Sequence, residues 1–150
     1  MADLRELYQE LILDHHRRPR NCRRPEDSNM QADGFNPLCG DKVTVFLRVE
    51  DGIVRDIAFQ GSGCAISTAS ASMMTESLKG KSEAEAARIF ERFHDLVTGR
   101  DSGDDHHVGL GKLEVFAGVR EYPVRVKCAT LAWHTMRAAL AGSHKTVATE

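Results

Sequence analysis

The sequence predicts an α+β fold: a small antiparallel β-sheet with helices packed on one side. Two observations carry this reading. The β-rich runs Val43-Thr44-Val45-Phe46-Leu47-Arg48-Val49 and Ile53-Val54-Arg55-Asp56-Ile57-Ala58-Phe59 flank Asp51-Gly52, a strong hairpin signal. One segment of helical periodicity precedes that hairpin and several follow it, so strands and helices are segregated along the chain.

The elements follow in order. Leu4, Leu7, Tyr8, Leu11 and Ile12 recur at helical spacing, which predicts an amphipathic helix over 3–16. It runs into the arginine-rich stretch 17–24, where Pro19 ends regular structure. Residues 25–41 read as loop, with turn signals in Asp33-Gly34-Phe35-Asn36-Pro37 and Cys39-Gly40-Asp41. After the hairpin, Gly61-Ser62-Gly63-Cys64 leads into a closely packed helix of small residues from Ala65 that ends near Gly80. Ser82 and Glu85 form a capping box, and Ala86, Ile89, Phe90, Phe93, Leu96 and Val97 carry that helix to about Thr98. Residues 99–109, with Asp101, Asp104, Asp105, His106 and His107, read as a polar loop, followed by a short helix over 110–117. Pro123 opens the last helix, which places Cys128, Leu131, Ala132, Thr135 and Ala139 on one side. The tail after Gly142 is expected to be loose. With no internal repeat, residues 1–150 are expected to form a single domain.

Composition bounds the function. The chain has 150 residues, 41% of them hydrophobic and 28% charged, enough for one packed core and unlike a disordered protein. A formal net charge of −2 gives no general attraction to nucleic acid or anionic membrane. No apolar run reaches the roughly 20 residues that cross a bilayer. The beginning MADLRELYQELILDHH does not resemble a secretory signal, so the cytoplasm is the expected compartment.

Thiols stay reduced there, so Cys22, Cys39, Cys64 and Cys128 point to metal binding or catalysis rather than disulfides. None forms a Cys-x-x-Cys pair, so a metal site has to be assembled from distant segments. Cys39 and Asp41 precede the hairpin, Cys64 follows it at a helix start, and Cys128 lies in the first turns of the last helix. Helix N-termini favour thiolates, which predisposes Cys64 and Cys128 to bind metal. Three thiolates and a carboxylate suit tetrahedral Zn²⁺, with Arg125 and Lys127 placed to offset the excess negative charge. By spacing alone, small buried cysteines with no metal role are the commoner reading.

The motifs Leu11-Ile12-Leu13-Asp14-His15, Asn36-Pro37-Leu38-Cys39-Gly40-Asp41, Gly61-Ser62-Gly63-Cys64-Ala65-Ile66-Ser67, Ala69-Ser70-Ala71-Ser72-Met73-Met74 and Lys127-Cys128-Ala129-Thr130-Leu131 closely resemble the SufU/IscU family, over about residues 4–141. That resemblance implies a SufE/NifU-like, IscU-type fold and one Zn²⁺ held by Cys39, Asp41, Cys64 and Cys128. It implies a sulfurtransferase that takes persulfide sulfur from a SufS-type PLP-dependent cysteine desulfurase and hands it to the Suf cluster-assembly machinery. Cys39 is the implied acceptor. Asp41, a hard carboxylate among thiolates, and Arg125, beside Cys128, are the further candidates for a catalytic role, with charge balance the plainer reading of Arg125.

The family's other branch is a scaffold on which an iron–sulfur cluster is built, using the same ligands. That branch carries histidine where this chain has Lys127, and a Leu-Pro-Pro-Val-Lys segment where this chain has Glu121-Tyr122-Pro123-Val124-Arg125. Its span between the last two cysteines is also shorter. These differences favour the sulfurtransferase branch.

Other polar residues read more plainly. Cys22 among its arginines is an incidental exposed thiol, and the arginine cluster is either a solvated loop or a docking patch for the desulfurase. His106-His107 read as incidental, His15 and His16 as cations suited to a helix C-terminus, and Trp133 as packing for the last helix.

Overall fold

The computed structural model describes residues 4–99, 110–142 and 147–148. The described chain runs α1 (Leu4–Arg17), β1 (Met30–Asn36), β2 (Asp41–Glu50), β3 (Ile53–Ser62), α2 (Ala65–Leu78) and α3 (Glu83–Thr98). A 3₁₀ segment (Gly111–Glu121), α4 (Pro123–Leu140) and the short β4 (Val147–Ala148) complete it. The polar stretch containing Asp101, Asp104, Asp105, His106 and His107 lies outside the described residues.

The β2–β3 hairpin forms where the sequence places it. Asp51 and Gly52 both take left-handed backbone, with φ of 54° and 74°, and Glu50 pairs with Ile53. Two consecutive positive φ values define the turn whose twist matches that of its strands.

Residues 30–36, read from sequence as loop, instead form β1, antiparallel to β2 from Met30↔Leu47 to Asn36↔Asp41. Glutamine, aspartate and glycine hide this strand from a propensity reading. Its partners create it: Ala32, Gly34 and Asn36 alternate inward, and their small size lets α4 lie close above. A Cβ at Gly34 would collide with Thr135 Oγ1 of α4.

The sheet order is β3-β2-β1-β4, and β4 is parallel to β1 through Gly34↔Val147 and Phe35↔Ala148. The sheet is therefore antiparallel over three strands with a parallel edge piece, and residues 147–148 are strand where a loose tail was expected. At the opposite edge Cys22 bridges Phe59, and the Asn21 carbonyl accepts the Phe59 N–H at 3.0 Å. The segment after α1 thus covers the outer edge of β3, and Arg23 pins it to Asp56 at 2.7 Å.

The helices cover one face of the sheet. The small residues of α2 sink completely: Ala69, Ser70 and Ser72 have no exposed surface. Trp133 of α4 is fully buried, stacks on Phe93 at 4.5 Å between ring centres, and donates its indole N–H to Ser70 Oγ at 3.0 Å. Ser82 caps α3 by accepting the Glu85 N–H, and Gly99 closes it in left-handed backbone. The segment after Leu110 is a 3₁₀ run to Glu121 rather than the short helix expected over 110–117. Among the described residues no helix is long and apolar enough to cross a membrane.

Candidate metal centre

Three connections of the fold meet at one end of the sheet: the β1–β2 turn, the step from β3 into α2, and the second turn of α4. The β1–β2 turn is short because Asn36 pairs with Asp41, leaving Pro37, Leu38, Cys39 and Gly40 to cross over. The Asn36 carbonyl accepts the N–H groups of Cys39 and Gly40 at 3.3 and 2.8 Å, and Gly40 takes a φ of 74° to return the chain to β2. All four turn residues are exposed.

Asp41, first residue of β2, is 1% exposed and points beneath that turn. Its Oδ1 accepts the Cys64 N–H at 2.9 Å, and its Oδ2 lies 3.7 Å from Cys64 Sγ. Cys64 in turn is the N-cap of α2, its sulfur accepting the Ser67 N–H at 3.4 Å. Gly63 makes this approach possible, because a Cβ there would stand 2.6 Å from Asp41 Oδ1.

From α4, Cys128 enters with no exposed surface and its sulfur lies 3.4 Å from that of exposed Cys39. Ligand atoms of Cys39, Asp41 and Cys128 all lie within 4.8 Å of one another, the group among the described residues able to hold a metal ion. Cys64 stands beside this trio, joined to it through Asp41. Donor atoms around a tetrahedral zinc with ~2.3 Å bonds to sulfur sit about 3.8 Å apart, so the spacing suits such an ion.

The electrostatics correct one expectation. Cys128 lies five residues beyond Pro123, past the helix end that would favour its thiolate. Burial pushes its thiol well above the usual range, reinforced by hydrogen bonding with Asp41 and Cys39 and by the charge of Cys64. Exposed Arg125, one turn before Cys128, is the nearby compensating charge: Cys64 foremost, then Cys128, holds its guanidinium more firmly protonated.

Cys22 is exposed on the outer edge of β3 and is not in the cluster. His15 is not a solvated cation at the end of α1. It is 1% exposed, its Nδ1 lies 2.7 Å from Ser72 Oγ, and burial holds its pKa below the ordinary value. Sequence reasoning missed Asn36, fully buried with Nδ2 3.7 Å from Cys128 Sγ, and Gly63. The signals were an asparagine directly before a turn proline and a glycine directly before a cysteine.

Residues 7–143 match the family model described as the NifU-like N-terminal domain. The chain belongs to this family. Within it, the chain is 40% identical over 140 residues to the zinc-dependent sulfurtransferase SufU of Bacillus subtilis, covering 93% of each. It is also 37% identical to the iron–sulfur cluster assembly scaffold protein IscU of Streptococcus pyogenes, over 93% of this chain and 86% of the relative. Among solved structures it is similar to a Fervidobacterium islandicum protein described as a candidate cluster-assembly scaffold for the SUF system. That likeness has a TM-score of 0.81 at 34% identity and covers 87% of this chain and 94% of the other. The SufU/IscU resemblance read from the motifs therefore holds along the chain, and the family's fold is the one described above.

Proposed function

We propose that this chain is a zinc-dependent sulfurtransferase that takes persulfide sulfur from a SufS-type cysteine desulfurase and passes it to iron–sulfur cluster assembly in the cytoplasm. The observation that carries the proposal is the meeting of an exposed turn thiol, Cys39, with a buried carboxylate from β2, Asp41, and a buried thiol from α4, Cys128.

The donor chemistry fits zinc. A carboxylate and a thiol buried side by side, with two more thiols at their edge, form a costly pocket unless a cation joins them. Cys39, Asp41, Cys64 and Cys128 are the residues that would hold one Zn²⁺. When bound, zinc keeps the sulfurs deprotonated while shielding them from oxidants.

The chain's own residues then divide the work. Cys39, on the turn, is the thiolate that attacks the outer sulfur of the donor's cysteine persulfide. A bond forms between that sulfur and Cys39, the donor's sulfur–sulfur bond breaks, and the donor cysteine leaves as a thiolate. The exchange is redox-neutral, and Cys39 ends as a persulfide. Arg125 faces the thiols and stabilises the negative charge that moves among them. Cys64 and Cys128 stay in place because each is tied into a helix.

The scaffold reading rests on the similarity to the Streptococcus pyogenes IscU. Lys127, where the scaffold branch carries histidine, weighs against it. Metal analysis combined with desulfurase turnover separates the two. The sulfurtransferase reading expects about one zinc per chain, no visible cluster absorbance, and faster desulfurase turnover on addition of the chain. A bound [2Fe–2S] chromophore with zinc absent overturns it.

A further inference from the structure

Asn36 carries more of this site than its place at a strand end requires. It has no exposed surface. Its Oδ1 accepts the Leu38 N–H at 3.1 Å, and its backbone carbonyl accepts the next two N–H groups, those of Cys39 and Gly40. Three consecutive amides of the turn therefore close onto one residue. Its side-chain Nδ2 points the other way, 3.7 Å from Cys128 Sγ, a residue 92 positions later. Among the described residues, that sulfur is the acceptor this buried amide finds. A buried donor stripped of its acceptor is costly, so the contact resists being broken.

Little else holds the turn down. Pro37, Leu38, Cys39 and Gly40 are all exposed, and Leu38 keeps 61% of its surface in solvent. The turn makes no hydrophobic anchor in the core, so its hydrogen bonds and the contact between the two sulfurs fix its position.

We propose that Asn36 is a positioning residue, a latch that ties the Cys39 turn to the Cys128 sulfur and sets how often the turn opens. The proposal rests on the reading of Cys39 as the sulfur-accepting thiol. An acceptor on a turn must swing toward its donor while the other ligands stay in place. One amide that binds the turn on one side and Cys128 on the other couples those two demands. Losing a single such hydrogen bond shifts an opening equilibrium by about fivefold to tenfold.

The test uses the full chain, as purified and again after chelator treatment, as wild type, Asn36→Ala and Asn36→Ser. Iodoacetamide labelling of Cys39 and Cys128 is followed over time by peptide mass spectrometry, and amide hydrogen exchange is followed at Leu38, Val45 and Ile57. Serine retains an oxygen that can accept the Leu38 N–H but is too short to reach Cys128. Cys128, buried in the closed state, is expected to label about five to ten times faster in both variants, while exposed Cys39 changes by less than about twofold. Leu38 protection is expected to fall in Asn36→Ala and to persist in Asn36→Ser, with Val45 and Ile57 unchanged in both. Wild-type labelling of Cys128 in both variants overturns the latch. So does faster labelling accompanied by equally faster exchange at Val45 and Ile57, which marks general loosening. Transfer of sulfur to a different cysteine in the wild-type chain overturns the acceptor reading instead, and leaves the labelling result standing.

Discussion

The sulfurs of Cys39 and Cys128 lie 3.4 Å apart, although the first belongs to an exposed turn and the second to a helix residue with no surface in solvent. Asp41 closes the group from below, and its Oδ1 also accepts the Cys64 N–H at the start of α2. The carboxylate is thus placed twice, beside the two sulfurs and at the hydrogen bond that seats Cys64.

Asp41→Ala tests both roles. Three cysteines remain, so the variant is expected to bind some zinc. It is expected to surrender that zinc to a competing chelator more readily by more than the ~10–100-fold typical of losing an outer-shell partner. Stimulation of the desulfurase is expected to fall even in zinc-loaded protein. Normal stimulation by a zinc-loaded variant contradicts the role given to Asp41.

Gly63→Ala probes the same contact without removing a ligand. A Cβ there would stand 2.6 Å from Asp41 Oδ1, so the carboxylate or the backbone has to shift. Overpacking of this kind costs about 1–3 kcal/mol. A lower melting temperature and weaker zinc retention in chelator competition are both expected. Unchanged zinc retention contradicts the close approach described here.

The hairpin, the capping box and the helix of small residues were legible in the sequence because each has a local cause. Asp51-Gly52 writes its own turn, and Ser82 caps the helix that begins beside it. β1 was not legible, since Gln31, Asp33 and Gly34 are poor strand formers and the strand exists through pairing with β2 and close packing under α4. The motifs singled out the metal-centre candidates, whereas spacing alone favoured buried, inert cysteines. The burial of Cys128 and the roles of Asn36 and Gly63 depend on contacts between segments far apart in the chain. No local pattern encodes those contacts.

Arg125→Ala separates charge from packing. The side chain is exposed, so folding stability is expected to change by no more than about 0.5 kcal/mol. The cation that faces Cys64 and Cys128 is lost, and desulfurase stimulation is expected to fall several-fold, with Arg125→Lys recovering part of it. Full activity of Arg125→Ala in a turnover assay contradicts its electrostatic role.

His15 sets a pH dependence. Burial, then the neighbouring Arg20 charge, lowers its pKa from the ordinary 6.5, with Glu76 pulling weakly the other way. The folded chain therefore favours the neutral ring. Its contribution is complete above pH 6.5 and is lost as pH falls from there through the lower folded value. His134 is lowered by burial in the same direction. The urea midpoint is expected to stay level near neutrality and to decline below it, with a shallower decline in His15→Asn. A midpoint that rises on mild acidification contradicts this assignment.

The central claim is that Cys39 receives the sulfur, and locating that sulfur tests it most directly. After incubation with a SufS-type desulfurase and cysteine, the chain is alkylated, digested without reductant and mapped by peptide mass spectrometry. The added sulfur is expected on the peptide carrying Cys39. Added sulfur found mainly on Cys64 or Cys128, with Cys39 unmodified, contradicts the account.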